Sequence, residues 1–466
     1  MTERLVIIGG DAAGMSAASQ ARRRRGADDL EIVAFERGHF TSYSACGIPY
    51  WVGGVVDGPD GLVARDPATF RDRYAIDVRT RHEVTGIDLD RREVTARRLG
   101  DDNGGDGGSG GGEVVVGFDQ LVYATGGRPV RPDWARTDAR GVHGVQTLDD
   151  GSALRAALDA EPAPRRAVVV GAGYIGLELA EALRHRGLAV TIVERAAQPM
   201  STLDPELGEL VAEAIAGMDI ALRTGETVRE LAGADGRVTG VRTDRDTLPA
   251  DLVVLGLGVA PDTALAGSAG LPLGDSGGVL TDRRMRVPGH DGVWAAGDCV
   301  EVRHRVSGRQ VHVPLGTHAN KQGRVAGINI GGGYATFPGV LGTAVTRVCE
   351  LELARTGLGE AEAEAAGFRT VTASVESTNR AGYYPGAETM TVKLIAERGS
   401  GRLLGAQIVG RTEAAKRIDA LAIALWNGMT VDEMTGLDLG YAPPFAPVWD
   451  PVLVAARKAT DALAGS

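Results

Sequence analysis

The chemistry this sequence can do gathers at a few residues. Cys46 stands in Ser42-Tyr-Ser-Ala-Cys46-Gly-Ile-Pro-Tyr50, just ahead of a proline. Proline is accepted in the first turn of a helix. A helix beginning there would aim the positive end of its dipole at the sulfur and favour the nucleophilic thiolate. The other two of the three cysteines are expected to differ. Cys299 follows Gly297-Asp298 and Cys349 lies in the strand-like run 345–353, so both read as small packed residues. Wide spacing and an odd count argue against a disulfide framework.

Two glycine patterns carry the second kind of chemistry. Gly171-x-Gly173-x-x-Gly176 is complete, whereas Gly9-Gly10-Asp11-Ala12-Ala13-Gly14 has Asp11 in place of the middle glycine. In such a pattern the first glycine makes a tight turn. The second lets backbone approach a pyrophosphate, and the third lets helix pack on strand. The helix N-terminus then offers free N–H groups to the anion. A carboxylate at position 11 is unfavourable beside a pyrophosphate unless its side chain turns away. Glu36 and Glu194 follow at the distance of an acid that binds a ribose hydroxyl. Two copies of the pattern, each with its acid, point to two dinucleotides, FAD and NAD(P).

The elements that must position these residues repeat one plan. Leu5 to Ile8, a helix from Ala12 to Arg25 and Glu31 to Glu36 form one strand–helix–strand unit. Ala167 to Val170, a helix from Leu177 to Arg186 and Val190 to Glu194 form the other. The strands are apolar throughout, as expected when helices cover both faces of a parallel sheet. Residues 92–117 read as a hairpin region interrupted by the glycine-rich run 100–112, expected to be a flexible, solvated loop. Leu121 to Gly126 and Gly292 to Asp298 are short strands ending in small residues, and Pro314 to Ile330 looks helical. Beyond a Gly331–Gly333 linker, strand-like runs at 343–348, 390–396 and 403–409 precede a helix at 414–427, which suggests a separate α+β domain. The expected class is α/β, with two doubly wound nucleotide-binding domains and this tail. The expected limits are 1–150 and 279–340 for a split FAD domain, 151–278 for the NAD(P) domain and 341–466 for the tail.

Bulk properties narrow the classes. With 466 residues the chain is too long for one core. A net charge of −11, from 50 basic and 61 acidic residues, disfavours nucleic acid and anionic membranes as partners. No run is apolar enough to span a membrane. The N-terminus passes directly into a strand, leaving no room for a signal peptide. A cytoplasmic location is the resulting expectation, and no metal site is expected.

Together the paired units, Ala124-Thr125-Gly126, Ala296-Gly297-Asp298 and the tail resemble the pyridine nucleotide–disulfide oxidoreductases across essentially the whole chain. The Cys46 segment resembles their single-cysteine branch, which holds CoA-disulfide reductases, NADH-dependent persulfide or polysulfide reductases, and NADH oxidases and peroxidases. No second cysteine at the Cys-x4-Cys spacing and no His-x-Thr tail motif are present, which sets the dithiol branch aside. The resemblance implies a homodimer binding FAD and NAD(P)H, with NADH favoured because Glu194 suits a 2′-hydroxyl, although Arg195 sits beside it. It implies cofactor contacts at Gly9, Gly10, Asp11, Ala12, Ala13, Gly14, Glu36, Arg37, Ser42, Thr125, Gly126, Gly297 and Asp298. Further contacts would come from Gly171, Gly173, Tyr174, Ile175, Gly176, Glu194, Arg195 and Gly258. For a CoA-type substrate it implies Ser16, Gln20, Arg23, Ser42 and Asn320, with His318 an alternative to Asn320. Tyr383, Tyr384 and Tyr441 resemble tail-domain tyrosines that reach the cysteine of the other subunit. Ala45 stands where the CoA enzymes often have asparagine, and Val448-Trp449 where a lysine is expected.

The activity this implies is hydride transfer from NAD(P)H to FAD and two-electron reduction of a disulfide, persulfide or polysulfide through Cys46. Peroxide or O2 reduction through a Cys46 sulfenic acid is the alternative. A flavin-loaded redox sensor is a reading from another class, as is a reductase that feeds a ferredoxin and has no need of Cys46.

Overall fold

The computed structural model describes residues 2–100 and 112–465; most of the glycine-rich run, 101–111, lies outside them. Among the described residues, three five-stranded sheets organise the chain. The first uses β1 (Glu3–Ile8), β2 (Leu30–Phe35), β3 (Asp77–Arg79), β4 (Gln120–Tyr123) and, from far along the chain, β10 (Val293–Ala295). Its order is β10-β4-β1-β2-β3 and every pairing is parallel. Burial of Leu5, Val6, Ile7 and Ile8 explains why β1 is apolar at consecutive positions: both faces are covered.

The second sheet has the order β8-β7-β6-β9-β5. Its members are β5 (Val142–Gly144), β6 (Arg166–Val170), β7 (Ala189–Val193), β8 (Ala221–Arg223) and β9 (Leu252–Leu255). Since β5 pairs with β9, the chain crosses to the second sheet before residue 142, ahead of the expected limit at 150.

Register puts the chemistry at the carboxyl edges. Ile8 lies opposite Phe35 and Tyr123, and Ala295 opposite Tyr123, so Gly9, Glu36, Ala124 and Ala296 share one edge. Val170 lies opposite Val193 and Leu255, which gathers Gly171, Glu194 and Gly256 in the same way. In open parallel sheets ligands bind outside this edge.

Helix α1 (Ala12–Arg22) packs along α5 (Gly316–Ile330) at unusually close range. A Cβ on Gly323 would lie 2.1 Å from the Ala13 carbonyl oxygen, and one on Gly327 2.3 Å from that of Ala17, so only glycine permits the contact. In the second unit, α3 (Tyr174–His185) covers the sheet and meets the short α2 (Ile48–Val52), where Gly53 faces Ala182.

The third sheet is antiparallel, β11-β12-β15-β14-β13. It comprises β11 (Ala344–Val348), β12 (Leu351–Gly357), β13 (Thr370–Thr378), β14 (Thr389–Glu397) and β15 (Leu403–Gly410). Two helices, α6 (Ile418–Asn427) and α7 (Pro451–Ala464), belong to its core. Two expectations change here. Residues 345–353 are two strands, not one, because Cys349 turns the chain at φ +58°. Residues 415–417 form a separate 3-10 turn ahead of α6. Helix α4 (Pro205–Ala216) of the second unit meets this domain through Asp204 and Glu206, which flank Lys393 of β14.

Candidate active site

The two glycine turns are built alike. Gly9 (φ +108°) and Gly171 (φ +103°) lie in a region that L side chains rarely enter. A Cβ on either would come within 2.0 Å of the Ala124 oxygen or 2.3 Å of the Gly256 oxygen. Gly14 and Gly176 are equally constrained by the carbonyls of Gly9 and Gly171. The middle position is different. Gly173 has extended backbone (φ −85°), and a Cβ there would meet no atom within 4 Å. Its glycine therefore suits a ligand that approaches, not the fold. Asp11 has the same extended backbone (φ −104°), and its Oδ1 accepts from the Tyr43 N–H at 3.1 Å.

Both acids at the strand ends are held by backbone. Glu36 accepts from the N–H of Gly10 (2.7 Å) and of Gly38 (2.6 Å), and Glu194 from those of Ala172 (2.7 Å) and Ala196 (2.7 Å). Each carboxylate oxygen keeps a lone pair for a ribose hydroxyl. Burial pushes the Glu36 carboxyl up. Arg37 and Arg195 are exposed beside them. Ser42 is tied to the first turn by its N–H to the Gly10 oxygen (3.1 Å), and Ala12 and Ala13 open the α1 N-terminus. Tyr174 and Ile175 open α3 in the same way.

Across the edge, the Thr125 hydroxyl donates to the Asp262 oxygen (2.7 Å), while Gly126 and Gly258 have positive φ and open space at their Cβ positions. The Gly297 N–H donates to Gln322 Oε1 (2.7 Å), a buried partner on α5 that sequence reasoning missed. Burial also pushes the Asp298 carboxyl up, with no hydrogen bond to that group among the described residues. Strand-end carboxylates held by backbone N–H groups, open cradles and an Asp298 carboxyl without a hydrogen bond among the described residues fit FAD at the first turn and a nicotinamide dinucleotide at the second.

Cys46 is exposed, within a 3-10 turn (Ala45–Gly47) that runs into α2. The expectation of a helix-stabilised thiolate is corrected. Although the side chain is accessible, the groups around it desolvate the sulfur, and this, then the negative charge of Glu178 and of Asp298, pushes the Cys46 thiol up. Glu178 was not singled out from the sequence, though it follows the last glycine of the second fingerprint by two residues. It lies on α3, is itself pushed up by burial, and accepts from the Thr346 hydroxyl of β11 at 2.7 Å. Three residues on, Glu181 accepts from the Cys349 N–H at 2.9 Å. Cys299 is fully buried with its thiol pushed up to about 12 by burial, and Cys349 is partly buried with Sγ against the Ala214 oxygen.

The residues expected to meet substrate fall into two groups. The Ser16 hydroxyl donates to Asn320 Oδ1 (2.8 Å), joining α1 to α5 at their exposed edge. Gln20 Oε1 accepts from Arg24 (3.0 Å), and Arg23 is exposed. Arg22 instead binds the carbonyls of Tyr74 and Ala75, and Arg25 pairs with Glu3, so half of the arginine run is structural. His318 is buried, whereas Asn320 is exposed. Arg324, one helical turn beyond Asn320, is also exposed and was missed.

In the tail, Tyr383 and Tyr441 are exposed and lie near enough for the Tyr441 phenol to push that of Tyr383 up, while Tyr384 is partly buried. Phe445, Val448 and Trp449 are exposed on the following segment.

Two dinucleotide cradles on parallel sheets, with one accessible cysteine beside them, define a flavin- and nicotinamide-dependent oxidoreductase. The chain belongs to the pyridine nucleotide-disulphide oxidoreductase family: the family's model matches residues 3–323, and that of its dimerisation domain matches 343–451. It is similar to the NAD(P)H coenzyme A polysulfide/persulfide reductase of Pyrococcus horikoshii, 38% identical over 98% of both chains. An NADH oxidase of Methanocaldococcus jannaschii is 34% identical, again over 98% of each. Among solved structures, a NAD-dependent persulfide reductase from A. fulgidus has a TM-score of 0.93 at 39% identity, covering 99% of this chain and 84% of that one.

Proposed function

We propose that this chain is an FAD-dependent NAD(P)H oxidoreductase that reduces a CoA-type disulfide, persulfide or polysulfide through Cys46. The observation that carries the reading is the company Cys46 keeps. The charges acting on it come from Asp298 and Asp11 at the first cradle and from Glu178 behind the second. Bound FAD supplies the two-electron relay between nicotinamide hydride and sulfur. The chain's own part is positional and acid–base. Cys46 Sγ attacks one sulfur of the substrate disulfide, an S–S bond forms to Cys46 as the original one breaks, and the departing thiolate takes a proton. Because burial and the nearby carboxylates raise the Cys46 thiol, its proton leaves as Sγ attacks. Two electrons from NAD(P)H then reopen the Cys46 mixed disulfide and free the second thiol.

Ser16, Asn320, Gln20, Arg23 and Ser42 are the residues we assign to the substrate, and the exposed guanidinium groups of Arg23 and Arg324 suit the phosphates of a CoA-type substrate. The FAD domain comprises the segment before the crossing to the second sheet together with about 279–340, the NAD(P) domain lies between them, and 341–466 forms the dimerisation domain. The protein works as a homodimer in which Tyr383 and Tyr441 reach the cysteine of a second copy. Among the described residues no helix is long and apolar enough to cross a membrane; the use of a free thiol suits the reducing cytoplasm.

The relative from Methanocaldococcus jannaschii keeps a second reading open, in which O2 or peroxide oxidises Cys46 to a sulfenic acid. One experiment separates them: purified protein with NADH or NADPH and CoA disulfide, CoA persulfide, polysulfide, hydrogen peroxide or O2, alongside Cys46→Ser. The expected result is rapid turnover with a sulfur acceptor. In Cys46→Ser this turnover is lost, while bound FAD and NADH-to-dye transfer are retained. Near-normal sulfur turnover in Cys46→Ser would overturn the assignment.

A further inference from the structure

Asp11 is the position at which the two dinucleotide turns differ in charge. It precedes α1 as Gly173 precedes α3, with the same extended backbone. At Gly173 a Cβ would enter open space, so the Asp11 side chain leaves the backbone toward the counterpart of that space in the first unit. Of the N–H groups of α1 its carboxyl engages that of Ala12, and those further along the first turn remain available to an anion.

We propose that FAD binding to this chain is coupled to uptake of one proton at Asp11, so that the diphosphate settles beside a neutral carboxyl. The inference rests on the assignment of FAD to the first turn. The groups facing Asp11 make its charge costly. Glu36 comes from the end of β2 and Asp298 from the loop after β10, with Tyr43 and Cys46 on the segment between β2 and α2. Among the described residues no lysine or arginine pairs with it. Burial first, then Glu36 and Asp298, push its carboxyl up to about 7, against the N–H groups of Tyr43 and Ala12. A diphosphate adds negative charge to the same space, which favours the protonated form further.

The sign follows from linkage. Below about pH 7 the carboxyl is already neutral and flavin affinity is flat. Above it, binding must draw a proton from solvent, and affinity falls about tenfold per pH unit while the bound carboxyl stays neutral.

The test is to dilute holoenzyme at pH 6, 7, 8 and 9 and read released FAD by its fluorescence. Wild type should bind FAD about tenfold more weakly at pH 8 than at pH 6. Asp11→Asn keeps an acceptor for the Tyr43 N–H and cannot ionise, so it should vary less than twofold over that range. A flat wild-type profile, or the wild-type slope in Asp11→Asn, would overturn the proposal. Should Asp11→Asn fail to hold flavin, Asp11→Gly carries the same expectation. Calorimetry of FAD added to the flavin-free full chain, in two buffers of different ionisation enthalpy, should show close to one proton taken up at pH 8; none would refute it. A chain that holds no flavin at any pH would sink the FAD assignment itself, whereas pH-independent FAD binding sinks only this inference.

Discussion

Replacing Lys393 by methionine would show how firmly the second nucleotide unit is fastened to the dimerisation domain. Lys393 lies on β14 with 3% of its side chain exposed. Its Nζ stands 2.8 Å from Asp204 Oδ2, 2.5 Å from Glu206 Oε1 and 3.1 Å from Glu360 Oε2. Burial alone would depress the ammonium, but the flanking carboxylates, Asp204 and Glu206 foremost, raise it instead. The clamp is therefore charged throughout the neutral range, and its stabilisation is lost only as pH rises through that raised value. Removing one partner of a buried ion pair costs about 3–5 kcal/mol because the other charge is left uncompensated. Here only Asp204 is left so: its side chain is 8% exposed, against 49% for Glu206 and 41% for Glu360, which can turn to water. Asp204 also keeps the Glu360 N–H on Oδ1 at 3.1 Å and its place at the N-terminus of α4. The expected loss is thus at the lower end, about 3 kcal/mol. Urea unfolding should report it as a lower midpoint at unchanged slope. Amide exchange in β14 and α4 should rise by roughly a hundredfold. Adding Asp204→Asn should recover most of the loss, since a neutral amide needs no cation. A cost under about 1 kcal/mol, or a double variant no better than Lys393→Met alone, would refute the reasoning.

Three further outcomes are expected. In the flavin-free chain, alkylation of Cys46 by iodoacetamide should still be accelerating at pH 9, because burial, Glu178 and Asp298 raise its thiol; Glu178→Gln should speed the reaction at neutral pH, and a plateau below pH 8 would contradict this. NADH should be used at least as well as NADPH, since Glu194 is held at the β7 end by two N–H groups and would repel a 2′-phosphate; a clearly higher kcat/KM for NADPH would rule that out. Trp449→Glu, at an exposed ring covered on one side by Arg457, should shift the protein toward monomer in sedimentation and lower sulfur turnover; a fully active monomer would exclude shared active sites.

Much of the nucleotide-binding half is legible in the sequence because its causes are local. Gly14 and Gly176 are demanded by the carbonyls of Gly9 and Gly171, and those two by their own positive φ, so the spacing announces strand, turn and helix. Consecutive apolar residues in β1 and β6 likewise report two covered faces, and only α/β layering supplies those. Glu36 and Glu194 are visible for the same reason, each sitting where its strand ends.

What tertiary structure decided is chiefly charge and exposure, which sum over groups distant in sequence. The helix-dipole argument for a Cys46 thiolate was sound locally. It lost to burial, to Glu178 of the second nucleotide unit and to Asp298, which joins the first sheet from far along the chain. Of four adjacent arginines, nothing local separates Arg22 and Arg25, used by backbone carbonyls and Glu3, from the exposed Arg23. Ser16 and Asn320 meet across 304 residues, and that contact exists only because Gly323 and Gly327 let α5 lie against α1. A sequence specifies its turns and periodicities residue by residue, whereas the acidity of a thiol or the reach of a side chain belongs to the packed whole.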